Sequence, residues 1–88
     1  MDLGIKGRRA IVCGASRGLG FGCALSLARE GVDLVINGRR PDVLADAAKR
    51  IVDETGVDVV AVATDITSAS GRAEVLAAAP QVDILVTN

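Results

Sequence analysis

Three glycines and an arginine give this chain its clearest chemical stretch, Gly14-Ala15-Ser16-Arg17-Gly18-Leu19-Gly20. An apolar run, Ile11-Val12-Cys13, leads into it, and apolar residues at helical spacing follow it. That order is a strand, a tight loop and a helix N-terminus. Such a junction leaves backbone N–H groups unpaired and pointing one way, with the positive end of the helix dipole behind them. The chemistry it suits is anion binding, and diphosphate is the usual anion for a β-loop-α unit. The glycines divide the work: Gly14 allows a sharp turn, Gly18 lets a ligand approach the backbone, and Gly20 lets the helix lie against the strand. The spacing is G-x-x-x-G-x-G, distinct from the G-x-G-x-x-G of other dinucleotide-binding turns. A tight β–α turn that binds nothing is the plainer alternative.

The loop needs elements to hold it, and the rest of the chain supplies them in regular alternation. A strand is expected over Arg9 to Cys13 and a helix over Arg17 to Glu30, with Gly20, Cys23, Ala24, Leu27 and Ala28 on its inner face. Gly31 stops that helix. The second strand is Val32 to Asn37, followed by a loop at Gly38-Arg39-Arg40. Pro41 suits the first position of the next helix, whose apolar stripe is Leu44, Ala47, Ala48 and Ile51. Gly56 ends it. Val57 to Ala63 reads as the third strand. Ser68 or Ser70 caps a third helix reaching Ala79, and Pro80 closes it. The fourth strand is Val82 to Val86. With right-handed crossovers, β-α-β-α-β-α-β gives the first half of a Rossmann-like doubly wound parallel sheet, strand order 3-2-1-4. Ligands of such sheets sit at the carboxyl ends of the strands. Four places should therefore converge: Gly14 to Gly20, Gly38-Arg39, Asp65-Ile66 and Thr87-Asn88.

Bulk properties narrow the partners. Eighty-eight residues, half of them hydrophobic, make one small ordered domain over residues 1–88. A net charge of −1 gives no general pull toward nucleic acid or acidic membranes. One Phe, with no Trp or Tyr, makes no base-stacking platform. No His and only two Cys argue against a metal site. Cys13 and Cys23 read as small packing residues of a reducing compartment. Nothing in the chain approaches a membrane span or carries a cleavage signal, so a cytoplasmic location is expected.

The loop Gly14 to Gly20 resembles the cofactor loop of the short-chain dehydrogenase/reductase family. The family has Thr before the first glycine; Cys13 stands there in this chain. The resemblance extends to Asp65-Ile66 and to the tail Asp83-Ile84-Leu85-Val86-Thr87-Asn88, and so covers essentially the whole chain. It implies an oxidoreductase that transfers hydride between a nicotinamide cofactor and a carbonyl or alcohol, near the 3-oxoacyl-thioester reductase branch. It aligns Gly38 with the slot where NAD-binding sheets place an Asp or Glu on the ribose 2′-hydroxyl. Arg39 follows that slot, and Arg17 would face the same place from the glycine loop. Two guanidinium groups and no acid imply NADP rather than NAD. Ser16 adds a hydroxyl. Arg39 could instead be a solvated loop charge, and Arg40 more readily so.

By the same resemblance, Asp65 accepts a bond from the adenine amino group while the Ile66 N–H reaches the ring. Asp65 could instead cap the turn that follows it. Asn88 matches the family's wall beside the adenosine. The family's catalytic Tyr, Lys, Ser and Asn lie beyond the fourth strand, and this chain has no Tyr. No catalytic residue is therefore assigned. The expectation is a cofactor-binding half cut short after the fourth strand, belonging to a reductase that forms a homo-oligomer. The alternative is a non-catalytic nucleotide-binding module.

Overall fold

The computed structural model describes residues 7–16, 18–78 and 81–86. Within them the chain alternates β1 (Arg9–Cys13), α1 (Gly18–Arg29), β2 (Asp33–Gly38), α2 (Pro41–Thr55), β3 (Val59–Ala63), α3 (Ala69–Ala78) and β4 (Ile84–Val86). The strands form one sheet in the order β3-β2-β1-β4, all parallel. This is the expected strand order, and the fold is the first half of a Rossmann-like doubly wound sheet.

Side chains alternate across the sheet, so two cores form. Ala10, Val12, Leu34 and Ile36 face one way and pack with Ala24 and Ala28 of α1 and Leu44, Ala47 and Ile51 of α2. Ile11, Cys13 and Val35 face the other way and meet Val75 of α3. Both faces of β1 and β2 are thus covered, which is why these strands are continuous apolar runs. Fully burying a side chain such as Leu44 or Ile51 is worth about 1.5–3 kcal/mol, so the α2 stripe is the main anchor of its helix. Of the residues expected on the inner faces, Cys23, Leu27 and Ala48 are only half-buried.

The helices end as their sequences direct. Pro41 opens α2, and the Gly56 N–H closes it on the Val52 carbonyl at 2.8 Å. Ser68 caps α3, its hydroxyl accepting the Gly71 N–H at 2.9 Å. Arg29 of α1 pairs with Glu54 of α2 at 3.3 Å, and the Arg50 guanidinium lies 4.7 Å from the centre of the Phe21 ring. These exposed contacts tie the two helices on the same face of the sheet.

Besides one-residue shifts at the end of α1 and the start of β2, three strand boundaries differ from expectation. Gly38 is the last residue of β2 rather than loop; it pairs with Ala63, and its carbonyl accepts the Thr64 N–H at 3.0 Å. β3 begins at Val59 because the Asp58 N–H is taken by the Asp33 carboxylate at 3.1 Å. β4 begins at Ile84, after Asp83 has bonded the start of β1 through both its N–H and its side chain. Arg17, Ala79, Pro80, Thr87 and Asn88 lie outside the described residues.

Candidate functional site

The carboxyl ends of β1, β2 and β3 enclose a cleft of about 340 Å³, lined by Cys13, Gly14, Ser16, Asn37, Gly38, Arg39, Thr64, Ile66 and Thr67. Each end is fixed to its neighbour by main-chain bonds. The Ala15 N–H donates to the Asn37 carbonyl at 3.0 Å, which ties the glycine loop to β2. Thr64 is tied to Gly38 as described above.

Gly14 and Gly18 both have positive φ, +67° and +59°. A side chain at Gly18 would meet nothing within 4 Å, so backbone conformation and not space reserves that position for glycine. Gly20 is buried in the first turn of α1. Leu19 is 83% exposed and faces a different groove, with Gly22, Cys23, Ser26, Leu27 and Val86.

Gly38 is the second key to the cleft. A Cβ built there would lie 3.3 Å from a Leu44 methyl and 3.5 Å from Ser16 Oγ. Ser16 therefore packs directly against the Gly38 position, and no carboxylate is among the residues that line the cleft. Arg39, next along, turns its guanidinium to Asp65, Nη2 to Oδ1 at 3.3 Å. Arg40 turns away and pairs with Asp42 at 3.5 Å, as a loop charge does.

Asp65 lies at the hub of the third loop. Its Oδ1 accepts the Thr67 N–H at 2.9 Å and the Thr67 hydroxyl at 2.6 Å, besides Arg39. It does cap the following turn, as one of the two readings of this residue required. Its Oδ2 takes no bond among the described residues. The Thr67 hydroxyl, first, and then the Thr67 N–H hold its carboxyl below the ordinary value of 3.8. The Asp65 carbonyl accepts the Ser68 hydroxyl at 2.9 Å, and Arg72 of α3 donates to the Ile66 and Thr67 carbonyls at 3.2 and 3.0 Å. Ile66 lines both this cleft and an apolar groove against α3.

The structure thus brings Gly14, Ser16, Arg39, Asp65 and Ile66 to one place. Arg17 and Asn88 fall outside the described residues. Sequence reasoning assigned no role to Asn37, Thr67 or Gly71. Asn37 is 2% exposed and donates both amide hydrogens across to β3, to the Val62 carbonyl at 3.0 Å and the Thr64 carbonyl at 3.1 Å. The available signal was a lone amide closing an apolar strand. Burial alone raises the Cys13 thiol above its ordinary value, which suits a packing role. Among the described residues no group of three or more His, Cys, Asp or Glu could hold a metal ion, and no helix is long and apolar enough to cross a membrane.

A parallel half-sheet with a glycine-rich first turn and a cleft at its strand ends defines a dinucleotide-type Rossmann unit. The short chain dehydrogenase family profile matches residues 8–88. The chain belongs to that family, which is one of oxidoreductases. Gluconate 5-dehydrogenase of Gluconobacter oxydans is 35% identical over 88 residues, covering 96% of this chain and 34% of the relative. The crystal structure of L-sorbose reductase from Gluconobacter frateurii, complexed with NADPH and L-sorbose, superposes with a TM-score of 0.94 at 36% identity, covering 100% of this chain and 35% of that one. A short-chain dehydrogenase from Sphingobium yanoikuyae in complex with NADPH gives 0.80 at 34% identity, over 89% of this chain and 32% of that one. The chain therefore spans about a third of the length of these relatives.

Proposed function

We propose that residues 1–88 form the cofactor-binding N-terminal part of an NADP-dependent oxidoreductase acting between a carbonyl and an alcohol. The observation that carries this reading is the Gly38–Arg39 corner. Where an NAD-selective sheet presents a carboxylate, this cleft presents Ser16 packed under a glycine and a guanidinium at the rim. A 2′-phosphate is repelled by the first arrangement and bound by paired, charge-assisted bonds in the second. The NADPH in the two related structures supports the same choice.

In this reading Gly14, Gly18 and Gly20 hold the diphosphate turn, with Leu19 beside it. Ser16, Arg17 and Arg39 hold the 2′-phosphate. Asp65 offers its open Oδ2 to the adenine amino group, Ile66 lies along the ring, and Asn88 completes the adenosine wall. When bound, NADPH supplies the hydride. The chain's own residues bind and orient it. The substrate is a carbonyl or secondary alcohol. The gluconate and L-sorbose in the relatives' names favour a polyol or sugar ketone, and a 3-oxoacyl thioester belongs in the same screen. The working protein is read as a cytoplasmic homo-oligomer.

The test is titration with NADPH and NADH, followed by nicotinamide fluorescence. NADPH is expected to bind at least tenfold more tightly, and Arg39→Asp to abolish the difference. Equal affinities in the unsubstituted chain would overturn the assignment.

A further inference from the structure

Two residues that the proposed function treats separately are joined in the structure. Arg39, the reader of the 2′-phosphate, and Asp65, the reader of adenine, share an ion pair of 3.3 Å across the mouth of the cleft. The two partners are held very differently. Thr67 fixes the Asp65 carboxylate through its N–H and its hydroxyl, and the Ser68 hydroxyl and N–H fix the Asp65 carbonyl. The carboxylate stays in place whether or not Arg39 is near. The Arg39 side chain is 70% exposed, and among the described residues its guanidinium bonds only Asp65. Arg39 is the member that can move.

We propose that Asp65 competes with the nucleotide's 2′-phosphate for Arg39, so that the Arg39–Asp65 pair, and not Arg39 alone, sets how strongly this site prefers a 2′-phosphorylated adenosine. The inference rests on the reading of Arg39 as the phosphate ligand. A nucleotide with a free 2′-hydroxyl leaves Arg39 on Asp65 and loses nothing. A 2′-phosphate must draw the guanidinium off, or share it, while standing within reach of a fixed negative charge. Asp65 therefore acts against one nucleotide and not the other, which is what selectivity requires. Its contribution to adenine is the same for both and cancels in their ratio.

Pre-organisation is the opposing effect, since a paired Arg39 is also a positioned one. An arginine this exposed gains little from a single long bond, and the charge of the carboxylate outweighs it. Exposed pairs of this kind couple weakly, by a factor of about two to five. That is small beside the whole preference for the phosphate but large enough to measure.

The probes are adenosine 2′,5′-bisphosphate and adenosine 5′-monophosphate, which need only the adenosine side of the site. Their dissociation constants are measured by isothermal titration calorimetry on the whole chain. Asp65→Asn keeps an oxygen for Thr67 and removes the charge; Asp65→Ser does the same with a shorter side chain and guards against one variant failing to fold. Both are expected to weaken binding of both nucleotides and to raise the ratio in favour of the bisphosphate about two- to fivefold. In an Arg39→Ala background the same substitutions should raise it less. If Arg39→Ala alone leaves the ratio unchanged, or if neither nucleotide binds, the phosphate reading falls and this inference with it. If Arg39→Ala lowers the ratio but both Asp65 variants leave it unchanged or lower it, the inference alone is overturned.

Discussion

Gly71, in the first turn of α3, lies against the backbone of Asp65 so closely that a Cβ built on it would be 2.8 Å from the Asp65 carbonyl carbon and 2.9 Å from Ser68 Oγ. The carbonyl oxygen is closer still. Missing atoms at Gly71 thus let α3 dock on the turn that carries Asp65 and Ile66, and Arg72 then bonds the next two carbonyls of that turn. Helix, cap and candidate adenine site are one packed unit.

Gly71→Ala is accordingly expected to displace the turn. Alanine is the better helix former by about 0.8–1.0 kcal/mol, so helix propensity alone would stabilise the variant. The clash with main chain should outweigh that gain, because overpacking costs about 1–3 kcal/mol. The expected outcome is a lower melting temperature by circular dichroism and weaker binding of NADPH and NADH alike. A variant that melts higher and binds normally would show that the turn yields freely.

Asn37 governs the same region from the strand side. An Asn37→Leu variant leaves the Val62 and Thr64 carbonyls without their amide partner and should cost about 1–3 kcal/mol. Asn37→Asp has the same shape but at neutral pH offers only acceptors to two carbonyl oxygens, in a buried place. It should be the less stable of the two. The introduced carboxyl has its folded pKa raised, so its penalty is present above that pKa and relieved as pH falls through it. Thermal melts between neutral and mildly acidic pH should show the aspartate variant recovering while the leucine variant does not.

These residues mark the limit of what the sequence showed. Strand order, helix stripes and the glycine turn were legible because they repeat with fixed periods, and one such period brings Leu44, Ala47 and Ile51 to the same face. The lining of the cleft was legible in residue type: Ser16, Gly38 and Arg39, all singled out in the sequence, line it together. What was not legible is set by contacts between loops. Nothing local to Gly71 says that it touches Asp65, and although the turn after Asp65 was legible from Asp65 itself, nothing local says that Arg39 shares the same oxygen with Thr67. Such pairings are settled by how α3 docks, a long-range matter that periodicity does not encode.

Gly38→Asp tests the acid slot directly. The new side chain must displace the Leu44 methyl or Ser16 slightly, since its Cβ would come within 3.3 Å and 3.5 Å of them. Both are side-chain atoms and can give. The carboxylate would then face the ribose, favouring a 2′-hydroxyl and opposing a 2′-phosphate. NADH binding should strengthen or hold while NADPH binding falls by tenfold or more, a change of about 1.4 kcal/mol per factor of ten. Parallel loss of both cofactors would mean that the ribose does not lie at this corner.

Thr67→Val removes the hydroxyl that lowers the Asp65 pKa most. A carboxylate whose folded pKa is depressed lends stability above its unfolded value and loses it as pH falls through the folded one. With Thr67 in place, the turn should keep its structure until the pH drops below the ordinary carboxylate value of 3.8. In the Thr67→Val variant the carboxyl should take up its proton at higher pH, so the stability it lends is smaller and is lost over a narrower window below 3.8. The Asp65 carboxyl resonance, followed by NMR across an acid titration, reads this directly. An unchanged midpoint would assign the depression to the Thr67 N–H instead.

The last prediction concerns β4. It pairs with β1 on one side, and among the described residues no strand pairs its other side. Leu85 on this strand is 64% exposed and Leu76 of α3 is 60% exposed, and both line one apolar groove together with Ile11, Val75 and Ile66. An open parallel edge flanked by uncovered leucines is an adhesive surface. The chain by itself should therefore associate as its concentration rises. Leu85→Lys places a charge on that edge without disturbing a buried residue and should reduce the association while leaving the far-UV circular dichroism spectrum and NADPH affinity unchanged, because the cleft lies at the strand ends and is lined by other residues. Sedimentation velocity over a concentration series separates the two chains. Association that is unchanged by Leu85→Lys would place the contact on another face.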